Sequence, residues 1–245
     1  MALEIRWLRE DEYDQVLDML GEVMEANRGY FSDSFRKLGT SAPSLVAVEG
    51  GEIVSHIRVF HRTRLVGECA IWAAEIGDVC TLPRRRGLGY MTALLNTAAQ
   101  LLCLKGFDIS TVHSGVPIYQ KAGWVAFPEP DQYLLWRLLN IRSLFARTVP
   151  TFQARAKTLQ KPFIGTMAIA CQGQEAALEF TEGWLRPLDH CPSPDLRLEL
   201  DQLTFFRLVM GRDTPTELGL ATRLGLSSRE AEVVEALFPK RRATF

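Results

Sequence analysis

The stretch from Val79 to Leu95, VCTLPRRRGLGYMTALL, constrains the fold of this chain more than any other part of the sequence. It opens on residues typical of a strand, and the apolar positions after Gly89 recur every three or four residues, as in an amphipathic helix. Three arginines and two glycines lie between these two patterns. The first N–H groups of a helix lack intrahelical partners, glycines let an anion approach the backbone, and arginines donate bidentate hydrogen bonds. The segment therefore predicts a binding site for a phosphate group.

The composition is that of a folded protein and argues against several classes of function. Hydrophobic residues make up 47% and charged residues 23% of the 245 residues, so a core can be buried. The net charge of -1 gives no indication of a polyanion-binding surface. Five scattered cysteines without a C-x-x-C pair argue against a disulfide framework and a structural zinc site. The N-terminus has no apolar signal core, and no apolar run approaches the ~20 residues that cross a bilayer. We therefore expect a cytoplasmic protein without a metal, a membrane or a nucleic-acid partner.

The first half of the chain alternates between strand and helix patterns. Two β-rich runs joined by Gly50-Gly51 predict a hairpin, and Asp11 is a candidate N-cap for the first helix. The predicted elements are a strand at Leu3–Leu8, helices at Asp11–Met24 and Phe31–Leu38, the hairpin Ser44–Phe60, a strand within Gly67–Thr81, a helix from Gly89 closed by Gly106, and a strand at Asp108–His113. This order predicts a mixed α+β domain.

The pattern changes after Trp136. A helical segment is expected around Tyr133 to Arg155, and short runs divided by Gly, Pro and polar residues follow it. Strands are predicted at Met167–Ala170, Ala176–Phe180, Gly183–Leu185 and Asp195–Leu200, and helices at Leu203–Met210 and Arg229–Phe238. The sequence therefore predicts an α+β protein of two domains: a central mixed sheet flanked by helices over residues 1–140, and a smaller domain over residues 141–245.

Two common phosphate-binding motifs do not fit the turn. A nucleotide P-loop needs Gly-Lys-Ser or Gly-Lys-Thr, and the dinucleotide fingerprint needs a third glycine where this chain has Thr92. The segment instead resembles the acetyl-CoA signature of the GNAT superfamily of N-acetyltransferases, (Arg/Gln)-x-x-Gly-x-(Gly/Ala). Aligned on the following Leu-Leu pair, Arg86 and Gly89 match the signature and Met91 replaces its final small residue. The register Arg84-x-x-Gly87-x-Gly89 also satisfies the pattern but shifts the helix by two residues.

A second segment, SGVPIYQKAGW from Ser114 to Trp124, resembles the later GNAT run aromatic-Tyr-x-x-x-Gly-aromatic, with Ile118 in place of the first aromatic residue. The resemblance implies that the Tyr119 hydroxyl lies near the CoA sulfur and protonates the leaving thiolate. A phenol with a pKa near ~10 suits that role.

The GNAT resemblance also implies how acetyl-CoA is bound. The main chain of Val79 and Thr81 would hold the pantetheine arm. The pyrophosphate would lie against the backbone N–H groups of Arg84, Arg85, Arg86, Gly87, Leu88, Gly89, Tyr90 and Met91.

The second half resembles the region downstream of the GNAT domain in the enhanced-intracellular-survival type of acetyltransferase, which ends in a sterol-carrier-protein-like domain. The resemblance rests on Tyr133–Leu139, on Leu203–Arg212 and on the ending from Leu237 to Phe245. In those relatives the terminal α-carboxylate is the general base, which implies this role for Phe245. Those relatives also carry a further GNAT-like domain for which this length leaves no room.

The predicted function is transfer of an acetyl group to an amine by direct attack on the thioester, because no cysteine has the sequence context of a nucleophile. Acids flanking the fourth strand, Glu68, Glu75 and Asp78, are alternatives to Phe245 as the base, with Glu75 preferred among them. The acceptor stays open between a small-molecule amine and a protein lysine, as does homo-oligomerisation.

Two other functions have partial support in the sequence. A non-catalytic acyl-CoA or lipid sensor is the alternative, because a CoA site needs no catalytic base to bind. Residues 216–238 superficially resemble a helix-turn-helix regulator, but the would-be reading helix carries three glutamates that would repel phosphates. Ser227 and Glu230 instead predict a capping box.

Overall fold

The computed structural model describes residues 3–24, 28–38, 42–127 and 133–241. The chain divides into two compact units. The first comprises Met1–Arg62, Ala73–Lys105 and Ser110–Leu139, and the second comprises Thr63–Trp72, Gly106–Ile109 and Asn140–Phe245. The α+β class predicted from the sequence is confirmed.

The N-terminal half carries a large sheet and four helices in the described ranges. The strands are β1 (Leu3–Trp7), β2 (Ser44–Glu49), β3 (Glu52–Val66), β4 (Cys69–Thr81), β5 (Ile109–His113), β6 (Val125–Ala126) and β7 (Leu134–Leu138). The helices are α1 (Tyr13–Met24), α2 (Arg28–Leu38), α3 (Tyr90–Leu104) and α4 (Ile118–Lys121). The sheet order is β1-β2-β3-β4-β5-β7-β6, so the predicted strand-to-helix segment leaves the sheet at the end of its central strand, β4.

Antiparallel pairing fixes the register of the first strands. β1 pairs with β2 and β2 with β3, and the β2–β3 hairpin places Glu49 opposite Glu52. The turn between them is Gly50-Gly51, and both glycines have positive φ, 61° and 83°. The predicted Gly-Gly hairpin is confirmed. Glycine takes this conformation without steric strain, which explains why two glycines form the turn.

Apolar faces of α1 and α2 form one core of the first unit. Val16 and Leu20 of α1 and Phe31 of α2 are almost fully buried and pack with Val46 of β2 and Cys80 of β4. Helical spacing of apolar residues thus covers one face of the sheet, as the sequence pattern predicts.

The second unit has its own sheet. It contains α5 (Ile141–Ala156), β8 (Gly165–Cys171), β9 (Gln174–Phe180), β10 (Leu185–Leu188), β11 (Leu196–Leu200), α6 (Gln202–Val209), α7 (Leu220–Leu224) and α8 (Ser228–Leu237). The sheet order is β10-β9-β8-β11, with β11 parallel to β8 and the other pairs antiparallel. The predicted capping box is confirmed: the Ser227 hydroxyl accepts from the Glu230 N–H, and the Glu230 carboxylate accepts from the Ser227 N–H at 2.7 Å.

Two local predictions are wrong, one of them in part. The helical segment expected around Tyr133 to Arg155 is confirmed from Ile141 onwards, as α5, but its first part forms the strand β7 (Leu134–Leu138), which lies between two other strands. Its consecutive apolar residues are buried on both faces of the sheet, so they show no alternation. Asp11 is not the N-cap of α1, because it lies inside a 3₁₀ turn, Glu10–Glu12, that precedes the helix.

None of the helices in the described ranges is long and apolar enough to span a membrane.

Candidate functional site

The end of β4 leads into the start of α3 through a short 3₁₀ turn, Pro83–Arg85. Gly87 and Gly89 follow, with φ of 78° and 84°. These left-handed values are readily available to glycine alone, which explains why two glycines interrupt the chain here. Gly89 is the N-cap of α3, and no side chain caps that helix end. The first N–H groups of a 15-residue helix are therefore available to an anion.

A cleft of about 660 Å³ lies against this turn. Ten of its lining residues come from one continuous stretch, and four come from α1 and the region around α4. They are Val79, Cys80, Thr81, Arg85, Arg86, Gly87, Gly89, Tyr90, Met91 and Thr92, together with Val23, Val116, Ile118 and Tyr119. The two separate sequence motifs thus border one cavity.

Several residues singled out from the sequence do not line this cleft. Arg84 and Leu88 belong to the turn but are not among the lining residues, and Leu88 is 62% exposed. Glu75 lies on β4, where its carboxylate is ion-paired with Arg62 at 3.2 Å. Phe245 lies outside the described residues.

Two of the three arginines are bound to glutamates of the β2–β3 hairpin. Arg84 pairs with Glu52, and Arg85 contacts both Glu52, at 3.0 Å, and Glu49, at 3.2 Å. The pKa of Glu52 is lowered, mainly by hydrogen bonding from Arg84. In the described part of the chain, Arg86 has no carboxylate partner and its Nε donates to the Thr81 carbonyl at 3.4 Å. Sequence reasoning missed the two glutamates, whose only signal was their position beside Gly50-Gly51.

Tyr119 is held in the wall of the cleft by its local turn. The residue is 5% exposed, and its ring makes a T-shaped contact with Trp124, with centroids 6.3 Å apart. Burial raises the pKa of Tyr119 to about 12, and a hydrogen bond with the Ser114 side chain opposes that rise. The hydroxyl is therefore protonated at neutral pH, and the raised pKa makes it a weaker acid than a free phenol.

Cys80 is the one residue between Val79 and Thr81, and its thiol was not singled out from the sequence. It lines the cleft and is 4% exposed. Burial raises the pKa of Cys80 to about 12, with the Asp78 carboxylate as a further cause. The thiol stays protonated at neutral pH, and a thiol is a much weaker nucleophile than a thiolate.

Asp78 directly precedes the cleft-lining part of β4. It has φ of 47°, an unusual value for a residue other than glycine. Its carboxylate lies 3.5 Å from the guanidinium of Arg58, which is fully buried. Burial raises the pKa of Asp78, and Arg58 opposes the rise. A partly desolvated carboxyl group therefore lies two residues from Cys80.

The Asp78 carbonyl also fixes the tautomer of His56. His56 Nδ1 lies 2.8 Å from that carbonyl, which can only accept, so Nδ1 carries the hydrogen. His56 Nε2 then accepts from the Ser44 hydroxyl at 2.9 Å. Burial lowers the pKa of His56 to about 4. The imidazole is neutral and holds the backbone at Asp78.

The second unit has a separate cavity of about 420 Å³. Its walls come from the end of α5, the segment after that helix and the turn between β9 and β10. They include the aromatic residues Phe163, Phe180 and Trp184. Within the described ranges, no group of three or more His, Cys, Asp or Glu side chains is arranged to hold a metal ion.

Comparison with solved structures shows that the fold is shared over the whole chain. A conserved protein of unknown function from Enterococcus faecalis V583, described as a probable N-acyltransferase, aligns with a TM-score of 0.76 at 10% identity and covers 98% of this chain and 97% of its own. A GCN5-related N-acetyltransferase from Kribbella flavida aligns with a TM-score of 0.67 at 13% identity, covering 98% and 96%.

A third structure is similar to part of the chain. The GNAT family N-acetyltransferase YhbS from Escherichia coli, in complex with CoA, aligns with a TM-score of 0.50 at 16% identity and covers 58% of this chain and 84% of its own. A search of curated proteins finds no match. The family model of the acetyltransferase (GNAT) domain matches residues 4–127, the range that contains both sequence motifs and the cleft. The chain belongs to the GNAT family of acetyltransferases.

Proposed function

We propose that the protein is an N-acetyltransferase that uses acetyl-CoA as its cosubstrate and transfers the acetyl group to an amine. The observation that carries this proposal is the single cleft bordered by the glycine-rich turn, the end of β4 and Tyr119. A thioester laid along that cleft would meet both a phosphate-binding turn and a phenol. The CoA in the Escherichia coli relative supports the choice of cosubstrate.

The pyrophosphate of acetyl-CoA would lie against the backbone N–H groups from Arg84 to Met91. The uncapped start of α3 supports this assignment, because its first turn also carries no acidic side chain. Arg86, which has no carboxylate partner among the described residues, can add a bidentate contact to phosphate. Main-chain groups of Val79 and Thr81 would bind the pantetheine arm, and both residues line the cleft.

The proposed reaction is one direct transfer. The amine nitrogen attacks the thioester carbonyl carbon, a C–N bond forms and the C–S bond breaks. Tyr119 donates its proton to the departing thiolate and is recharged when the amine's proton returns from solvent or the base. The raised pKa of Cys80 supports direct attack, since this neutral thiol is poorly suited to carry the acetyl group.

A carboxylate would take the proton that the amine loses, directly or through water. Glu75 and the α-carboxylate of Phe245 are two candidates, although the ion pair with Arg62 makes Glu75 less available. Asp78 is a third candidate because it directly precedes the cleft-lining residues of β4, although it does not line the cleft itself and its carboxylate lies 3.5 Å from Arg58. Burial raises the pKa of Asp78, which makes it a stronger proton acceptor than an ordinary aspartate.

The acceptor would be a small-molecule amine or a protein lysine. A thiol-release assay with acetyl-CoA across a panel of polyamines, small amines and lysine peptides tests the proposal. We expect CoA release that depends on one class of amine. Tight CoA binding with no release from any amine would contradict it.

That contradictory result would favour the second candidate function, a non-catalytic acyl-CoA or lipid sensor. The aromatic-lined cavity of the second unit supports this alternative, because an apolar ligand could bind there without chemistry. The same cavity supports the proposed likeness of residues 141–245 to a sterol-carrier-protein-like domain of the enhanced-intracellular-survival type. Binding of a fluorescent fatty acid, lost on replacing Trp184 with alanine, would test it.

A further inference from the structure

Glu49 joins two residues that flank the glycines of the phosphate-binding turn. One carboxylate oxygen, Oε2, accepts the Tyr90 hydroxyl at 2.6 Å and Arg85 Nη1 at 3.2 Å. Arg85 ends the 3₁₀ turn, and Tyr90 is the first residue of α3. Gly87 and Gly89 lie between these partners. We call Glu49, Arg85 and Tyr90 the Glu49 clamp.

The clamp restricts the most flexible part of the turn. Gly87 and Gly89 both have left-handed φ, and no described heavy atom beyond the glycine and its local backbone lies within 4 Å of the position of a Cβ at either one. Side-chain packing therefore does little to hold these two residues in place. Glycine can adopt many other backbone conformations, and a turn that samples them would lose entropy on binding a ligand. A contact that fixes both flanks reduces that loss.

The clamp is better shielded from water than the neighbouring ion pair. Tyr90 is 8% exposed, and the side chains of Glu49 and Arg85 are 21% and 32% exposed. The side chains of Arg84 and Glu52 are 57% and 36% exposed. Exposed ion pairs contribute little to stability, whereas partly buried hydrogen bonds to a charged group are stronger. Glu49 is therefore the better-shielded anchor of the turn. It shares Arg85 with Glu52, which accepts from Arg85 Nη2 at 3.0 Å, and it also accepts from Tyr90.

Charge alone gives no reason for a carboxylate at this place. A glutamate beside an anion site repels the anion and neutralises Arg85, one of the two arginines that line the cleft. If the site worked through net charge only, removing the charge of Glu49 would tighten the binding of CoA. A positioning role predicts instead that the loss of Glu49 weakens the binding of CoA.

We propose that Glu49 is a positioning residue for the cosubstrate, acting through Tyr90 and Arg85 to hold the backbone N–H groups of the turn in their binding geometry. This role rests on the proposed use of acetyl-CoA. The hairpin supports it, because the Gly50-Gly51 turn and the pairing of Glu49 with Glu52 place both carboxylates beside the phosphate-binding turn. The role concerns binding, so the chemical step is unaffected once the site is saturated.

The test compares Glu49→Ala, Glu49→Gln and Tyr90→Phe with wild type. Calorimetry gives the Kd for CoA, and steady-state kinetics gives KM for acetyl-CoA and kcat. We expect Kd and KM to rise about tenfold in Glu49→Ala and Tyr90→Phe, with kcat within about twofold of wild type. The Kd and KM of Glu49→Gln should lie between those of wild type and Glu49→Ala, because the amide oxygen still accepts from Tyr90. The double variant Glu49→Ala/Tyr90→Phe should lose less binding free energy for CoA than the two single variants lose together.

Glu12→Gln is the matched control. Glu12 also forms a half-buried pair with an arginine, Arg6, at 2.6 Å, but neither residue lines the cleft. We expect its Kd for CoA to equal that of wild type. Melting curves check folding, and Tyr90→Phe, which removes one oxygen atom, keeps the test valid if Glu49→Ala does not fold.

The outcomes separate this role from the proposed function. If wild type fails to bind CoA, the proposed cosubstrate is wrong and the role of Glu49 falls with it. If wild type binds CoA and Glu49→Ala binds it equally or more tightly, the proposed cosubstrate stands and the positioning role is overturned.

Discussion

Replacing Gly89 with alanine tests whether the backbone at the start of α3 binds a phosphate. Gly89 has φ of 84°, and no described heavy atom beyond the glycine and its local backbone lies within 4 Å of the position that a Cβ would take. The substitution therefore adds backbone strain without a steric clash inside the protein. A left-handed conformation costs a residue other than glycine about 1–2 kcal/mol. For a chain of this length, that loss lowers Tm by roughly 2–8 °C.

Gly173 provides the matched control. It has φ of 72°, and again no described heavy atom beyond the glycine and its chain neighbours lies within 4 Å of a Cβ there. It lies in the turn between β8 and β9, in the second unit. Gly173→Ala should therefore lower Tm by a similar amount, whereas only Gly89 lines the cleft.

The two variants should differ in their affinity for CoA. A methyl group at Gly89 would obstruct the approach of a phosphate oxygen and disturb an N–H donor. A hydrogen bond to a charged group is worth about 1.5–3 kcal/mol, so the Kd should rise about 10–100-fold in Gly89→Ala and stay unchanged in Gly173→Ala. Titration calorimetry measures both values, and thermal melting confirms the matched loss of stability. A Gly89→Ala protein with the Tm loss of its control and the Kd of wild type would refute the phosphate assignment.

Three further predictions follow from the site. Tyr119→Phe should lower kcat about 10²–10⁴-fold with little change in the Kd for CoA, and full turnover by this variant would exclude the phenol as the acid. Among the candidate bases Asp78, Glu75 and Phe245, we expect Asp78→Asn to lower kcat more than Glu75→Gln or deletion of Phe245. A large loss of kcat in either of the other two variants, with Asp78→Asn active, would reassign the base. Burial depresses the pKa of His56 from 6.5 to about 4, so the neutral imidazole contributes its full stabilisation above pH 6.5. As the pH falls from 6.5 towards 4, up to about 3 kcal/mol of the free energy of unfolding is lost. Melting curves from pH 7 to 4 should show a steeper loss in wild type than in His56→Gln, and equal slopes would contradict this.

Sequence patterns predicted the elements whose signals are local. The Gly-Gly hairpin, the helix after Gly89 and the Ser227 capping box depend on residues close together in the chain, and all three are confirmed. The run Tyr133–Leu138 was misjudged because its strand state depends on pairing with distant strands. An apolar run of that length fits a buried strand as well as a helix.

In the site, too, features that are local in the sequence could be predicted, whereas contacts between distant residues could not. The turn from Val79 to Met91 is continuous in the chain, so its glycines and arginines could be recognised together. The contacts of Glu49 with Arg85 and Tyr90 join residues 36 and 41 positions apart, and that of Arg58 with Asp78 joins residues 20 apart. Such pairs depend on the register of the sheet, which composition and spacing do not reveal. The roles of Tyr119, Glu75 and Phe245 stay predictions.

The most direct test of the central claim is a crystal structure of the protein with CoA. We predict that the pyrophosphate lies against the N–H groups between Gly87 and Met91, and that the sulfur lies within about 3.5 Å of the Tyr119 hydroxyl oxygen, the range of a hydrogen bond to sulfur. CoA bound elsewhere on the protein, or in this cleft with its sulfur far from Tyr119, would contradict the account.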